Sequence, residues 1–173
     1  ANNNITIGRC LFDNNTAKKG GNPNKAESMC GAVYFGGSSF SLINIKDTVF
    51  SRNSADGRFG VINFNNPVTD CNLINVTFDD NSGVTAPLYF ESSVTRTNII
   101  NSTFINNENT KTTGEGVGIY VNNAVSLTIN GTTFAYNTAH SSKGSALYIQ
   151  SGTGAHVDIS RSEERRVGKE CRS

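Results

Sequence analysis

Apolar and polar residues alternate along this chain in short bursts, and the bursts recur. Ile5-Thr6-Ile7, Ile43-Asn44-Ile45, Cys71-Asn72-Leu73, Thr97-Asn98-Ile99 and Leu127-Thr128-Ile129 share one pattern. Alternation with a period of two places successive side chains on opposite faces of a strand. The bursts are short, rich in β-branched and aromatic residues, and bounded by Gly, Asn and Ser, which predicts β-strands separated by turns. Nowhere does a helical stripe of ten residues appear.

A second pattern is locked to the first. Phe12, Phe50, Phe78, Phe104 and Phe134 each stand five residues after the last residue of a burst. Each is followed three residues later by an asparagine: Asn15, Asn53, Asn81, Asn107 and Asn137. After a polar, Gly-bearing stretch comes a further apolar run: Gly31–Phe35, Gly60–Phe64, Ala86–Phe90, Val117–Val121 and Ser145–Ile149. The steps from Phe to Phe are 38, 28, 26 and 30 residues, a period at which stacked repeat architectures occur.

One such unit cannot bury its inward face alone. Stacked at the spacing of paired strands, about 4.8 Å, successive units satisfy one another's backbone groups and enclose a narrow apolar interior. The expectation is therefore an all-β solenoid, a parallel β-helix of about five coils plus the start of a sixth. Its five Phe rings would stack inside the coil. The asparagines would sit at corners, where Asn tolerates a left-handed backbone, and would bond amide to amide from coil to coil. Cys71 takes an Ile position and reads as a small core residue. The first coil is longer by about ten residues around Lys18–Lys25, read as a solvated loop projecting from one corner.

The repeat breaks after Ser160. Val157-Asp158-Ile159 begins a sixth coil, but the next Phe and Asn positions hold Glu164 and Val167 within a charged run, Arg161 to Cys171. This string resembles the in-frame translation of a sequencing-library adapter. Residues 161–173 are accordingly expected to be a non-native tail, and residues 1–160 a β-helix fragment of a longer chain.

The pairing of Phe-x-x-Asn with a Gly-Gly-Ala-like element, seen as Cys30-Gly31-Ala32-Val33 and Gly144-Ser145-Ala146-Leu147, resembles the repeats of chlamydial-type polymorphic outer membrane proteins. More broadly it resembles the pectin-lyase-like β-helix class. The resemblance spans residues 5–159. It implies a right-handed parallel β-helix exported to the cell surface, often an adhesin or passenger domain, and an outer-membrane setting if the source is bacterial.

Composition changes this picture little. Only 36% of the chain is hydrophobic and Trp is absent, as suits a slim solenoid whose few apolar residues are all well placed. The net charge is +1, which favours neither a nucleic-acid partner nor an anionic membrane surface. The last thirteen residues hold five Lys/Arg and three Glu, so the rest carries ten basic and eleven acidic groups. No apolar run reaches the roughly 18–20 residues of a membrane span.

Candidate chemistry is sparse. Glycoside hydrolysis needs two carboxylates at a set separation, but Asp79 and Asp80 are strand neighbours and Asp13 shares the repeat position of Asp79. A lyase would want a Ca²⁺-binding carboxylate cluster with a basic residue, and Asp47, Asp56, Asp70, Glu91, Glu108 and Glu115 fall on different repeat positions. No catalytic residue, cofactor or metal is expected. His140 and His156 read as surface residues of corner segments. Cys10 and Cys30 belong to one coil, and both a disulfide and free thiols are open. Tyr34, Tyr89, Tyr120 and Tyr148 share one outward repeat position, a candidate sugar-stacking strip or a surface packed beneath a loop. Asn4, Asn14, Asn75, Asn101 and Asn130 head Asn-x-Ser/Thr triplets, candidate glycosylation sites in an exported eukaryotic protein. The expected role is non-catalytic, adhesive or structural, at the cell surface or outside the cell. The partners would be cell-surface proteins or glycans, together with further coils of the same chain. A carbohydrate-active enzyme and a glycan-binding β-helix are the alternatives.

Overall fold

The computed structural model describes residues 3–18, 30–57, 60–110, 116–122, 124–140, 144, 146–150 and 155–165. The long loop expected around Lys18–Lys25 lies, beyond Lys18, outside the described residues, as do Glu115 and Cys171.

The described chain is entirely strand and turn. The first coil holds β1 (Asn4–Gly8), β2 (Leu11–Asp13), β3 (Thr16–Ala17) and β4 (Val33–Phe35). The second holds β5 (Phe40–Ser51), β6 (Ser54–Ala55) and β7 (Ile62–Phe64), and the third β8 (Val68–Asp79), β9 (Ser82–Gly83) and β10 (Leu88–Phe90). The fourth holds β11 (Val94–Ile100), β12 (Thr103–Ile105), β13 (Glu108–Asn109) and β14 (Ile119–Asn122). The fifth holds β15 (Ala124–Asn130), β16 (Thr133–Ala135), β17 (Thr138–Ala139) and β18 (Leu147–Gln150), followed by β19 (His156–Ser160) and β20 (Glu163–Arg165).

These strands form three parallel sheets, one for each side of the coil. The order β4-β7-β10-β14-β18 makes one side and β3-β6-β9-β13-β17 another. The third and largest sheet has two arms, joined because β5 and β8 run unbroken from one arm into the other. The fold is a right-handed-type parallel β-solenoid. Five equivalent Phe positions bound four complete laps, so the described chain makes about four turns, fewer than the sequence count of coils suggested.

The repeat register is the one the spacing demands. Phe12 pairs with Phe50, Phe50 with Phe78, Phe78 with Phe104, and Phe104 with Phe134. Their rings stack at centroid distances of 4.8, 5.1, 4.7 and 5.1 Å, with interplanar angles between 7° and 12°. Phe50, Phe78 and Phe104 are fully buried. A second stack, unforeseen from the Phe-x-x-Asn spacing, joins Phe35, Phe64 and Phe90 at 4.9 and 4.4 Å. Aliphatic columns such as Ile45, Leu73, Ile99 and Ile129 fill the space between the stacks.

The asparagine ladder is also present, with a geometry more economical than simple amide stacking. The side-chain oxygen of each rung accepts two bonds from the rung before, one from its backbone N–H and one from its Nδ2. From Asn15 to Asn53 these measure 3.0 and 2.9 Å, and from Asn107 to Asn137 both are 3.0 Å. The Nδ2 groups of Asn53, Asn81, Asn107 and Asn137 also donate to the carbonyls of Phe12, Phe50, Phe78 and Phe104. One amide therefore satisfies buried backbone groups on both sides of a corner where strand pairing is interrupted.

The left-handed corners are not on the ladder asparagines, contrary to expectation. They fall one residue earlier, at Asn14, Arg52, Asp80, Asn106 and Tyr136, and again three residues before each Phe position, at Arg9, Asp47, Asn75, Asn101, Gly131 and Arg161, with φ between 48° and 61°. The ladder amide must point inward along the stack, so the chain reverses at the exposed residue before it.

Residues 161–165 extend the solenoid. Arg161 adopts the same left-handed corner, and β20 pairs with β16 so that Glu164 stands at the sixth Phe position, beside Phe134. The remainder of the segment expected to be foreign, residues 166–173, lies outside the described residues.

Candidate functional surface

The interior of the coil is packed, so the outward faces of the strands are the surface open to a partner. The broadest is the arm of the large sheet built from β1, β5, β8, β11, β15 and β19. Its central outward column runs Thr6, Asn44, Asn72, Asn98, Thr128 and Asp158 in register. Six rungs at the paired-strand spacing make a strip roughly 24 Å long.

The middle of this strip is a second amide ladder. Asn72 Nδ2 donates to Asn44 Oδ1 at 2.9 Å, and Asn98 Nδ2 donates to Asn72 Oδ1 at 2.8 Å. All three side chains are half-buried. The sequence signal for it was the Asn at the centre of three successive apolar triplets, which the Phe-x-x-Asn pattern overshadowed. In the adjoining column Arg96 Nη2 donates to Asp70 Oδ2 at 2.7 Å. That hydrogen bond, reinforced by the guanidinium charge, holds the Asp70 carboxyl below its ordinary range.

Four of the other carboxylates considered for catalysis, Asp13, Asp47, Asp79 and Glu108, are engaged between coils. Asp13 accepts from Ser51 Oγ at 2.6 Å and pairs with Arg52, and the Ser51 bond leads in lowering its pKa. Asp47 accepts from Asn75 at 2.7 Å and Asp79 from Asn106 at 3.0 Å. Glu108 Oε1 lies 2.8 Å from His140 Nε2, both exposed. Asp80 is exposed at a left-handed corner, and Asp56 is exposed at a bend after β6. Among the described residues no three His, Cys, Asp or Glu side chains converge in a way that could hold a metal. His156 does not lie in a corner: it opens β19, opposite Ser126.

The tyrosine column requires a correction. Tyr34, Asn63, Tyr89, Tyr120 and Tyr148 are in register on the outer face of the β4–β18 sheet, and Tyr89, Tyr120 and Tyr148 stack at 4.3 and 5.4 Å. Tyr89 and Tyr120 are only 5% and 3% exposed, however, and Tyr34 alone reaches 40%. Pointing away from the core did not mean facing water. Tyr89 and Tyr120 join Ala86 in a small outer apolar cluster against which Cys30 and Tyr148 pack. They offer no open row of rings for a sugar.

Among the described residues the cysteines, Cys10, Cys30 and Cys71, are free thiols. Cys10 stands in a corner position that holds Thr48, Ser102 and Thr132 in other coils, and its Sγ donates to the Gly8 carbonyl at 3.3 Å. Burial pushes the Cys30 thiol up to about 11, against hydrogen bonds from the Asn63, Ala32 and Val33 backbone. Cys71 is wholly buried and its pKa is raised by desolvation alone. Neither carries the lowered pKa of a reactive thiol. Of the glycosylation candidates, Asn4, Asn14, Asn75 and Asn101 are exposed, whereas Asn130 is half-buried and donates to Ser160 Oγ at 3.0 Å.

No protein family matches this chain, and comparison with curated proteins and with solved structures likewise finds no match. No helix among the described residues is long and apolar enough to cross a membrane.

Proposed function

We propose that this chain is part of a non-catalytic surface or secreted β-helix, an adhesive or structural element related to the polymorphic-outer-membrane-protein and pectin-lyase-like repeats. The observation that carries this reading is the amide strip Asn44, Asn72 and Asn98. Its rungs repeat at strand spacing and keep amide groups at the surface, which suits a long, repetitive partner such as a glycan or an extended segment of a cell-surface protein. The engagement of Asp13, Asp47, Asp70 and Asp79 between coils supports a load of structural rather than catalytic duties for the carboxylates.

The reading is tested by applying purified protein to immobilised glycans and cell-surface extracts, alongside assays for polysaccharide chain cleavage. Saturable binding that is lost in Asn72→Arg, with no shortening of any polysaccharide, is expected. Release of new reducing or unsaturated sugar ends would overturn it in favour of an enzyme.

A further inference from the structure

Asp70 and Arg96 lie on β8 and β11, the two middle strands of the amide-strip face, in register with each other. Arg96 donates to Asp70 through Nε and, at 2.7 Å, through Nη2. The two side chains nevertheless remain 58% and 32% exposed. A guanidinium has more N–H donors than the two used here, and a carboxylate more acceptor sites. The pair therefore keeps bonding capacity on its outer side. Two further outward columns run beside it, Asn72 with Asn98 and then Ile74 with Ile100, all half-buried.

This face is complementary to itself. A two-fold axis along the strand direction, midway between β8 and β11, reverses the order of coils and keeps each position along the strand. It sets Asp70 opposite Arg96 of a second copy and Arg96 opposite its Asp70, so two coil-to-coil pairs become one network of four charges. The same operation sets Asn72 opposite Asn98, Ile74 opposite Ile100, Leu42 opposite Ser126 and Lys46 opposite Asn130, with no like charges facing. A two-fold axis along the solenoid instead sets Asp70 against the Ile74 column and leaves its charge facing an apolar side chain. Charge thus selects one of the two arrangements, and that one is isologous.

We infer that this face binds a second copy of the chain, two-fold related, with Asp70 of each copy opposite Arg96 of the other. The inference rests on the reading of the amide strip as a contact surface and names its partner. Both sheets repeat at the paired-strand spacing, so the rungs stay matched along the whole contact. The contact covers about 500 Å² on each copy, at the low end of specific interfaces. The dimer is accordingly weak and reversible, and salt weakens it further by screening the exposed charges.

Sedimentation of the full chain over about 1–200 µM, the range suited to so small an interface, tests the inference. A monomer–dimer equilibrium is expected. Asp70→Arg and Arg96→Asp each give the face a single sign of charge, so each folded variant alone should be monomeric. An equimolar mixture of the two should form dimers again, because each charge then meets its opposite across the contact. Loss of the coil-to-coil pair occurs in both variants and cannot produce that rescue. A wild-type chain monomeric throughout, self-association that persists in both variants, or a mixture no more dimeric than its components overturns the inference. If a monomeric wild type still binds immobilised glycans or cell-surface extracts, and Asn72→Arg abolishes that binding, only the second copy is ruled out and the adhesive reading stands. A monomer that binds neither overturns both.

Discussion

Asn81 donates to Asn107 Oδ1 twice, from its backbone N–H at 3.1 Å and from its Nδ2 at 2.9 Å. The same Nδ2 reaches back to the Phe50 carbonyl at 2.9 Å. Its own Oδ1 accepts from Asn53 N and Nδ2 at 2.9 and 3.1 Å. A single buried side chain thus holds three coils together at their corner.

Removing that side chain should be costly. Asn81→Ala strands the Asn53 N–H and the Phe50 carbonyl in the interior, and unsatisfied buried groups cost about 1–3 kcal/mol each. A loss of about 2–4 kcal/mol is expected from urea unfolding. Asn15→Ala, at the exposed first rung, should cost less than about 1 kcal/mol by the same measure. Equal losses at both positions would contradict the ladder.

Thr97 presents the opposite case. It takes an inward position in register with Cys71 and Leu127, is 1% exposed, and its Oγ1 has no hydrogen-bond partner. Thr97→Val keeps the shape and removes the stranded hydroxyl. A gain of about 1 kcal/mol in unfolding free energy is expected.

Tyr136 holds a left-handed backbone with φ of 55° while its ring is exposed. An aromatic residue gains nothing local there, whereas Gly carries no Cβ penalty and Asn tolerates the conformation. Tyr136→Gly and Tyr136→Asn should each raise the melting temperature, corresponding to about 1 kcal/mol. Asn101→Val, placing a β-branched residue at the other left-handed corner, should lower it.

Acid should weaken the fold from one direction only. Asp13 and Asp70 have lowered pKa values, led by hydrogen bonds from Ser51 and Arg96 respectively. Carboxylates more acidic in the folded than in the unfolded state contribute stability above the unfolded pKa, about 3.9, and lose it as pH falls through their folded values. Stability contributed by these two groups should therefore be level from neutral pH to about 5 and decline below about 4. The double variant Asp13→Asn, Asp70→Asn should show a shallower decline in acid, measured by urea midpoints. A decline of unchanged steepness would show that other groups govern it.

The strands, the Phe column and the asparagine ladder were legible in the sequence because each depends on a residue type repeated at a fixed offset. The left-handed corners were not. Arg52, Asp80, Asn106 and Tyr136 have no chemistry in common, and only the direction of the neighbouring amide imposes their backbone. The surface was half legible: alternation revealed that Tyr89 and Tyr120 point away from the core, but strand period carries no information about what covers an outer face. The amide strip of Asn44, Asn72 and Asn98 was readable residue by residue, and its meaning emerged only once register set the three amides within hydrogen-bonding distance.

The most direct test of the winding itself is a set of proton–proton Overhauser contacts between selectively labelled phenylalanine rings. Rings of Phe50 and Phe78, 28 residues apart in sequence, should give strong cross-peaks at a centroid separation of 5.1 Å, and so should Phe78 and Phe104 at 4.7 Å. Absence of both cross-peaks in a folded sample would contradict the solenoid.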